Sequence, residues 1–221
     1  RWGSTHALPV AAEVLRYQAD GPEAAYALMQ AFEIAAEANV RRPLRIRPEP
    51  VIPNDLDGVG EQLRALVEAE DAAGAEALLL GALQAGAGPS EVQAWLLQLC
   101  ADHFLDFGHA LIYVIKAFDL LGRAGWEFAG ELLGSLVFGI VNGTREDLLP
   151  EWAGWRKRMR ALEPRLPELF EAGLRAPSAW DRDAWVRAAL DGAPAAAHQA
   201  TVAALELGVP ALELVDGLSL G

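Results

Sequence analysis

The stretch that decides the fold is DHFLDFGHALIYVIK, residues 102–116. Most of its side chains are apolar, which is typical of a segment buried inside a protein. Its polar residues recur at steps of four and three, and such steps keep side chains on one face of an α-helix. We therefore expect a helix with one narrow polar stripe, which Gly108 could kink or end. The stripe faces either water or polar partners and consists of Asp102, Asp106, His109, Tyr113 and Lys116.

The composition extends the helical prediction to the whole chain of 221 residues. Apolar residues make up 52% of it, and alanine and leucine dominate while threonine, isoleucine and tyrosine are scarce. This bias favours helices over strands. We predict an all-α fold, a single domain over residues 1–221 built as a repetitive array of antiparallel helix pairs. Prolines at positions 43, 48 and 50 interrupt it with an extended connector.

The charge balance excludes some classes of partner. The formal net charge is −13, from 31 acidic and 18 basic residues, so this acidic protein would repel a phosphate backbone and we expect no nucleic acid partner. The richest apolar run, residues 132–141, is shorter than the roughly 18–20 residues of a membrane span, so we expect no membrane partner. Cys100 is the only cysteine, which excludes an intramolecular disulfide and fits a cytoplasmic protein.

Both ends of the sequence suggest that the chain is a fragment of a longer protein. The chain opens with RWGS, without methionine, and stops just after an apolar helical pattern begins. We expect a fragment of a longer protein, in which a separate chain or domain completes the fold.

The chain also matches itself. The tetrapeptide THAL at residues 5–8 aligns with GHAL at residues 108–111, an offset of 103 residues that also pairs Asn39 with Asn142. A second match links LQAG at 83–86 with LELG at 205–208. These matches predict an internal repeat of about 100 residues, with units near 1–57, 58–148 and an incomplete 149–221.

The repeat places His6 and His109 at equivalent positions. Multi-helix proteins build metal and cofactor sites from side chains on facing helices, although duplication copies a structural histidine as easily as a functional one. Histidine and carboxylate sets suit non-haem iron, manganese, zinc or another divalent metal. The candidate metal ligands are His6, Glu13, Asp106, His109 and His103, with Asp102 as a further candidate.

Two metal-free interpretations of the polar stripe stay open. In the first, Asp106, His109 and Tyr113 form a hydrogen-bonded catalytic relay in which a carboxylate orients the imidazole. In the second, these groups form a structural network between helices, and Lys116 neutralises Asp102 or Asp119.

A basic segment follows, at residues 149–162. It carries two tryptophans together with Arg156, Lys157, Arg158 and Arg160. Arginines that lie over tryptophan on a solvated helix face explain this pattern, and so does a site for an anion or a partner.

The segment from Ala101 to His109, continued by KAF at 116–118 and GW at 125–126, resembles the helical region attached to Rieske-type iron–sulfur domains in some bacterial proteins. It is also similar to questin-oxidase-like helical proteins, which share histidines at helix starts. With one cysteine, this chain cannot hold a Rieske cluster, so such a domain would lie outside it. The resemblance implies an oxidoreductase, and His6, Asp106 and His109 as pocket residues.

We therefore expect a helical oxidoreductase that acts on a small-molecule substrate in a pocket between the histidine-bearing helix pairs, with or without a metal. The alternatives are a non-catalytic helical scaffold or protein-interaction module with structural histidines, and a ligand-binding domain without catalysis.

Overall fold

The structure is a computed structural model that describes residues 6–16, 21–40, 46–174 and 180–219. This part of the chain is helical, as predicted, and its only extended pairing is an isolated bridge between Leu105 and Arg145. The chain divides into two compact units, residues 1–146 and 147–221. The predicted single domain and the predicted repeat of about 100 residues stay predictions.

The first unit contains seven of the described helices. They pack mainly as α1 against α2 and α6, α4 against α3 and α7, and α5 against α6. Fully buried side chains from five of them, including Leu63, Leu79, Leu96, Val114 and Leu133, form the core. The helices are α1 (Ala7–Arg16), α2 (Pro22–Asn39), α3 (Val59–Glu68), α4 (Ala72–Gln84), α5 (Pro89–Asp102), α6 (His109–Ala124) and α7 (Ala129–Asn142).

The prediction of one helix across residues 102–116 is wrong. Helix α5 ends at Asp102, a short 3₁₀ turn spans Asp106–Gly108, and α6 begins at His109. Asp106, Phe107 and Gly108 all have positive φ, at 46°, 56° and 89°, which interrupts a right-handed helix. Therefore only His109, Tyr113 and Lys116 of the predicted stripe lie on α6.

The interruption is stabilised by a second segment. The N–H of Asp106 donates to the carbonyl of Thr144 at 2.9 Å, and the N–H of Glu146 donates to the carbonyl of Phe104 at 2.9 Å. These bonds satisfy backbone groups that a continuous helix would have satisfied internally. The break in the helix is thus fixed by residues about 40 positions away along the chain.

The proline-rich connector contains no helix over residues 46–53, as its prolines predict, whereas residues 41–45 lie outside the described part. The N–H of Val51 donates to the carbonyl of Ala77 on α4 at 2.9 Å. A Cβ atom at Gly81 would lie 1.8 Å from the carbonyl oxygen of Val51, so only glycine allows this approach.

The second unit contains the remaining described helices, and a smaller core forms around Trp185 and Val209. The indole Nε1–H of Trp185 donates to the hydroxyl of Thr201 at 3.1 Å, which satisfies a largely buried donor. The helices are α8 (Ala153–Leu162), α9 (Leu166–Ala172), α10 (Arg182–Leu190), α11 (Pro194–Glu206) and α12 (Ala211–Ser219).

Among the described helices, none has both the length and the apolar character that a membrane crossing requires.

Candidate functional site

The predicted histidines meet between α1 and α6. His6 immediately precedes α1 and His109 is the first residue of α6. Their ring centres lie 6.3 Å apart, with the ring planes at 78°. Two turns further along both helices, Lys116 donates a hydrogen bond to Glu13. Since both contacts join residues at the same offset, α1 and α6 run parallel with their histidine ends together.

The orientation of the His109 ring is set by a backbone carbonyl. Its Nδ1 lies 2.5 Å from the carbonyl oxygen of Asp106. Because a carbonyl oxygen can only accept, Nδ1 must carry the proton, and in the neutral ring Nε2 then has the free lone pair. His109 is half-buried and His6 is exposed, so solvent has access to this end of α6. In the neutral ring, Nε2 of His109 is therefore the nitrogen that can accept a proton or bind a metal.

Tyr113 lies one turn further along α6 and is buried. Its ring centre is 6.5 Å from that of His109, and the two ring planes are inclined by 30°. Thus the structure brings together His6, His109 and Tyr113 of the predicted site.

The carboxylate of Asp106 has a different role from the one expected in the relay. It accepts a hydrogen bond from the backbone N–H of Thr144 at 2.8 Å. Asp106 thus contacts the His109 ring through its backbone oxygen, while its side chain holds the loop after α7. Asp106 and His109 do not share one helix, since Asp106 lies in the 3₁₀ turn before α6.

Glu13, a predicted metal ligand, is engaged by a cation. Lys116 donates to Glu13 and lies 3.4 Å from Asp119. The hydrogen bond with Glu13 is the main cause of the raised pKa of Lys116. Within the described ranges, no group of three or more His, Cys, Asp or Glu side chains is arranged to hold a metal ion.

His103 and Asp102 lie in two further sets of contacts, where the ends of α3 and α5 meet the loop after α7. The Nε2 of His103 is 3.0 Å from a carboxylate oxygen of Glu68, and the other oxygen of Glu68 accepts from Arg145 at 3.1 Å. Arg145 also donates to the carbonyl of Val67 at 2.8 Å.

Asp102 is paired separately, with other residues of α3 and α5. It accepts hydrogen bonds from Arg64 at 2.9 Å and from Gln98 at 3.0 Å. Asp102 is therefore neutralised by Arg64, whereas Lys116 pairs with Glu13 and Asp119. Sequence patterns did not identify Arg64, Glu68 and Arg145 as the partners in these contacts. No motif spacing links residues that lie 35 to 77 positions apart.

The comparisons with known proteins give no further information about this site: no family model, no curated protein and no solved structure matches the chain.

Proposed function

We propose that the chain is a helical protein of the oxidoreductase type that acts on a small organic molecule beside His6 and His109. The reaction class comes from the resemblance of residues 101–126 to Rieske-associated and questin-oxidase-like helical proteins. The location comes from the two imidazoles that meet where α1 and α6 begin.

The observation that carries the proposal is the hydrogen bond from His109 Nδ1 to the carbonyl of Asp106. It commits the neutral ring to one tautomer, and Nε2 can then take a proton from a bound molecule. A general base needs this kind of fixed orientation, because proton transfer requires a hydrogen bond to the reacting group in the correct geometry. Tyr113, one turn away, supplies an aromatic surface beside the imidazole.

A metal-dependent form of the same proposal uses His6 and His109 as two imidazole ligands. The hydrogen bond at Nδ1 is the kind of outer contact that orients a metal-bound histidine. Further ligands would come from water, from the substrate or from outside the described residues, since Glu13 is paired with Lys116. Iron(II) or another divalent ion that accepts nitrogen and oxygen ligands suits this donor set.

We also infer that α1–α2 and α6–α7 are two copies of one helix pair. Two contacts support this inference: the offset of 103 residues links Glu13 with its ion-pair partner Lys116, and it also links His6 with His109. In such an arrangement the imidazole pair lies near the pseudo-twofold axis that relates the two copies.

A non-catalytic helical scaffold is the second candidate function. The observation that favours it is that His103, Asp102 and their partners connect α3, α5 and the loop after α7. These ion pairs and hydrogen bonds connect separate helices, which supports a structural role for His103 and Asp102.

¹⁵N NMR of the imidazole nitrogens and titration with Co²⁺ would separate the oxidoreductase-type protein from the scaffold. In the neutral ring of His109, we expect the unprotonated nitrogen to be Nε2. In the metal-dependent form, Co²⁺ gives a saturable d–d absorption that is lost in His109→Ala and in His6→Ala. His103→Gln serves as the matched control, because it removes an imidazole that contacts Glu68 and leaves the pair intact.

A different outcome of the same two measurements would favour the scaffold. If the His109 ring exchanges freely between both tautomers and Co²⁺ binds no more tightly to the native chain than to His109→Ala, the histidine pair is not a site. A fixed Nε2 lone pair without Co²⁺ binding would support the metal-free form of the proposal.

A further inference from the structure

The second unit contains a cleft that the proposed function does not use. Its volume is about 560 Å³, and residues of α8, the turn after α8 and α11 line it. This volume lies in the range of about 300–1,000 Å³ that is typical of small-molecule sites. One part of its wall is apolar, formed by Ala161, Leu162, Val202 and Ala203.

Basic side chains line the remainder. Lys157 and Arg158 from α8 line the cleft together with Arg165, which forms an ion pair with Glu206 at 2.5 Å. Within the described residues, Lys157 and Arg158 have no carboxylate partner. The cleft therefore has two uncompensated positive charges in a chain whose formal net charge is −13.

Within the part of the chain that the structure describes, the guanidinium of Arg158 has an unpaired hydrogen-bond donor. Its Nε atom is buried and, among the described residues, has no hydrogen-bond acceptor. An arginine stays charged at every physiological pH, and a buried donor without an acceptor is costly. Since this atom has no surface exposed to solvent, an acceptor in the cleft reaches it only if the guanidinium turns toward the cleft.

His198 lines the same cleft from α11. Burial lowers the pKa of this imidazole, and the positive charge of Arg158 lowers it further. A neutral imidazole can donate one hydrogen bond without adding a third uncompensated charge. The polar part of the cleft thus suits one small anionic group.

We propose that this cleft binds a small monocarboxylate, whose hydrocarbon part lies on the apolar wall and whose carboxylate accepts hydrogen bonds from Arg158. A carboxylate matches the planar fork of a guanidinium, which can donate two parallel hydrogen bonds to it. The apolar wall explains why the ligand carries a hydrocarbon part.

Octanoate, octan-1-ol and inorganic phosphate, each added to the full chain, test the proposal. We expect octanoate to bind at least about tenfold more tightly than octan-1-ol, because only the carboxylate can pair with the guanidinium. In Arg158→Gln this preference should fall to less than about twofold. Arg160→Gln is the matched control: it removes the same charge from α8 at an exposed position that does not line the cleft, and it should keep the preference.

The Nε–H signal of Arg158 in the native chain gives a readout that does not depend on the folding of a variant. Octanoate should shift this signal and octan-1-ol should not, and Arg158→Lys identifies it by its loss. Equal affinity for octanoate and octan-1-ol would overturn the proposal. So would displacement of octanoate by an equal concentration of phosphate, or an Nε–H signal that octanoate leaves unchanged.

Discussion

Two hydrogen bonds join Asp106 and Thr144. The N–H of Asp106 donates to the carbonyl of Thr144 at 2.9 Å, and the N–H of Thr144 donates to the carboxylate of Asp106 at 2.8 Å. The same Asp106 accepts from the His109 ring through its own carbonyl. One residue therefore connects the loop after α7 to the orientation of the imidazole at the start of α6.

Removal of the Asp106 carboxylate should destabilise the protein and loosen the His109 ring. For Asp106→Ala we expect a loss of about 1–2 kcal/mol in the free energy of unfolding, since the N–H of Thr144 loses its acceptor. Asp106→Asn keeps one oxygen as an acceptor and should lose less than half of that. Urea denaturation measures the loss, and an Asn variant as unstable as the Ala variant would contradict the bond to Thr144.

Gly81 should not tolerate a methyl group. A Cβ at this position would lie 1.8 Å from the carbonyl oxygen of Val51, a backbone atom that cannot move aside as the end of a flexible side chain can. We expect Gly81→Ala to lower the free energy of unfolding by about 1–3 kcal/mol. The matched control is Gly139→Ala on α7, where nothing lies within 4 Å of the added Cβ. Gly139→Ala should be neutral or stabilising by up to about 1 kcal/mol, since alanine favours helix.

The ion pair between Lys116 and Glu13 should hold α1 on α6. We expect a double-mutant cycle of Lys116→Met and Glu13→Gln to give a coupling of about 0.5–1 kcal/mol, reduced by high salt, because both side chains keep some contact with solvent. The pKa of Lys116 is raised above 10.5, mainly by the hydrogen bond with Glu13. The coupling is therefore complete below pH 10.5 and is lost as the pH rises through the raised value. A zero coupling at low salt would contradict the pair.

Cys100 should be almost inert while the protein is folded. Burial raises the pKa of its thiol from 9.0 to about 12, so very little reactive thiolate is present at pH 8. We expect Ellman's reagent to label the folded chain at least about 100-fold more slowly than the chain unfolded in urea. By linkage, the buried thiol favours the folded state below pH 9.0, and this contribution is lost as the pH rises toward 12. Equal labelling rates would show that Cys100 is accessible.

His198 should make the protein less stable in mild acid. The pKa of this imidazole is lowered from 6.5 by burial and then by Arg158, so the unfolded chain takes up the proton more readily. Its contribution to stability is complete above pH 6.5 and is lost as the pH falls through the lowered folded value. The difference in urea midpoint between the native chain and His198→Gln should therefore change between pH 7.5 and pH 5.5. Parallel pH profiles would contradict a buried neutral imidazole.

The all-α class could be predicted from the composition, and Gly108 marked a place where the helix before His109 could kink or end, whereas the backbone geometry of Asp106 and Phe107 could not be predicted. Gly21 and Pro22 lie at the start of α2, where their effect on the backbone is local. Positive φ at Asp106 and Phe107 has no local cause in the sequence. It depends on the pairing with residues 144–146, and such a contact between distant segments is invisible to periodicity.

The candidate site likewise has features that the sequence predicts and features that depend on contacts between distant segments. The self-match of the chain predicted that His6 and His109 are equivalent, and the structure brings their rings to 6.3 Å. The partners of His103 and Asp102 could not be predicted, because Glu68 and Arg64 come from another helix. For the basic helix the sequence indicated an anion or partner site as one of two interpretations. It gave no sign that Arg158 and His198 line a common cleft.

The hydrogen bonds that join residues 104–106 to residues 144–146 also close the base of the α6–α7 hairpin. The two ends of this hairpin cannot separate without breaking the backbone bonds and the contacts of Arg145 with Val67 and Glu68. Local opening at the start of α6 is therefore coupled to opening after α7. In native-state hydrogen exchange, the amides of both ends should become exposed in one cooperative step, as a single foldon that includes His109.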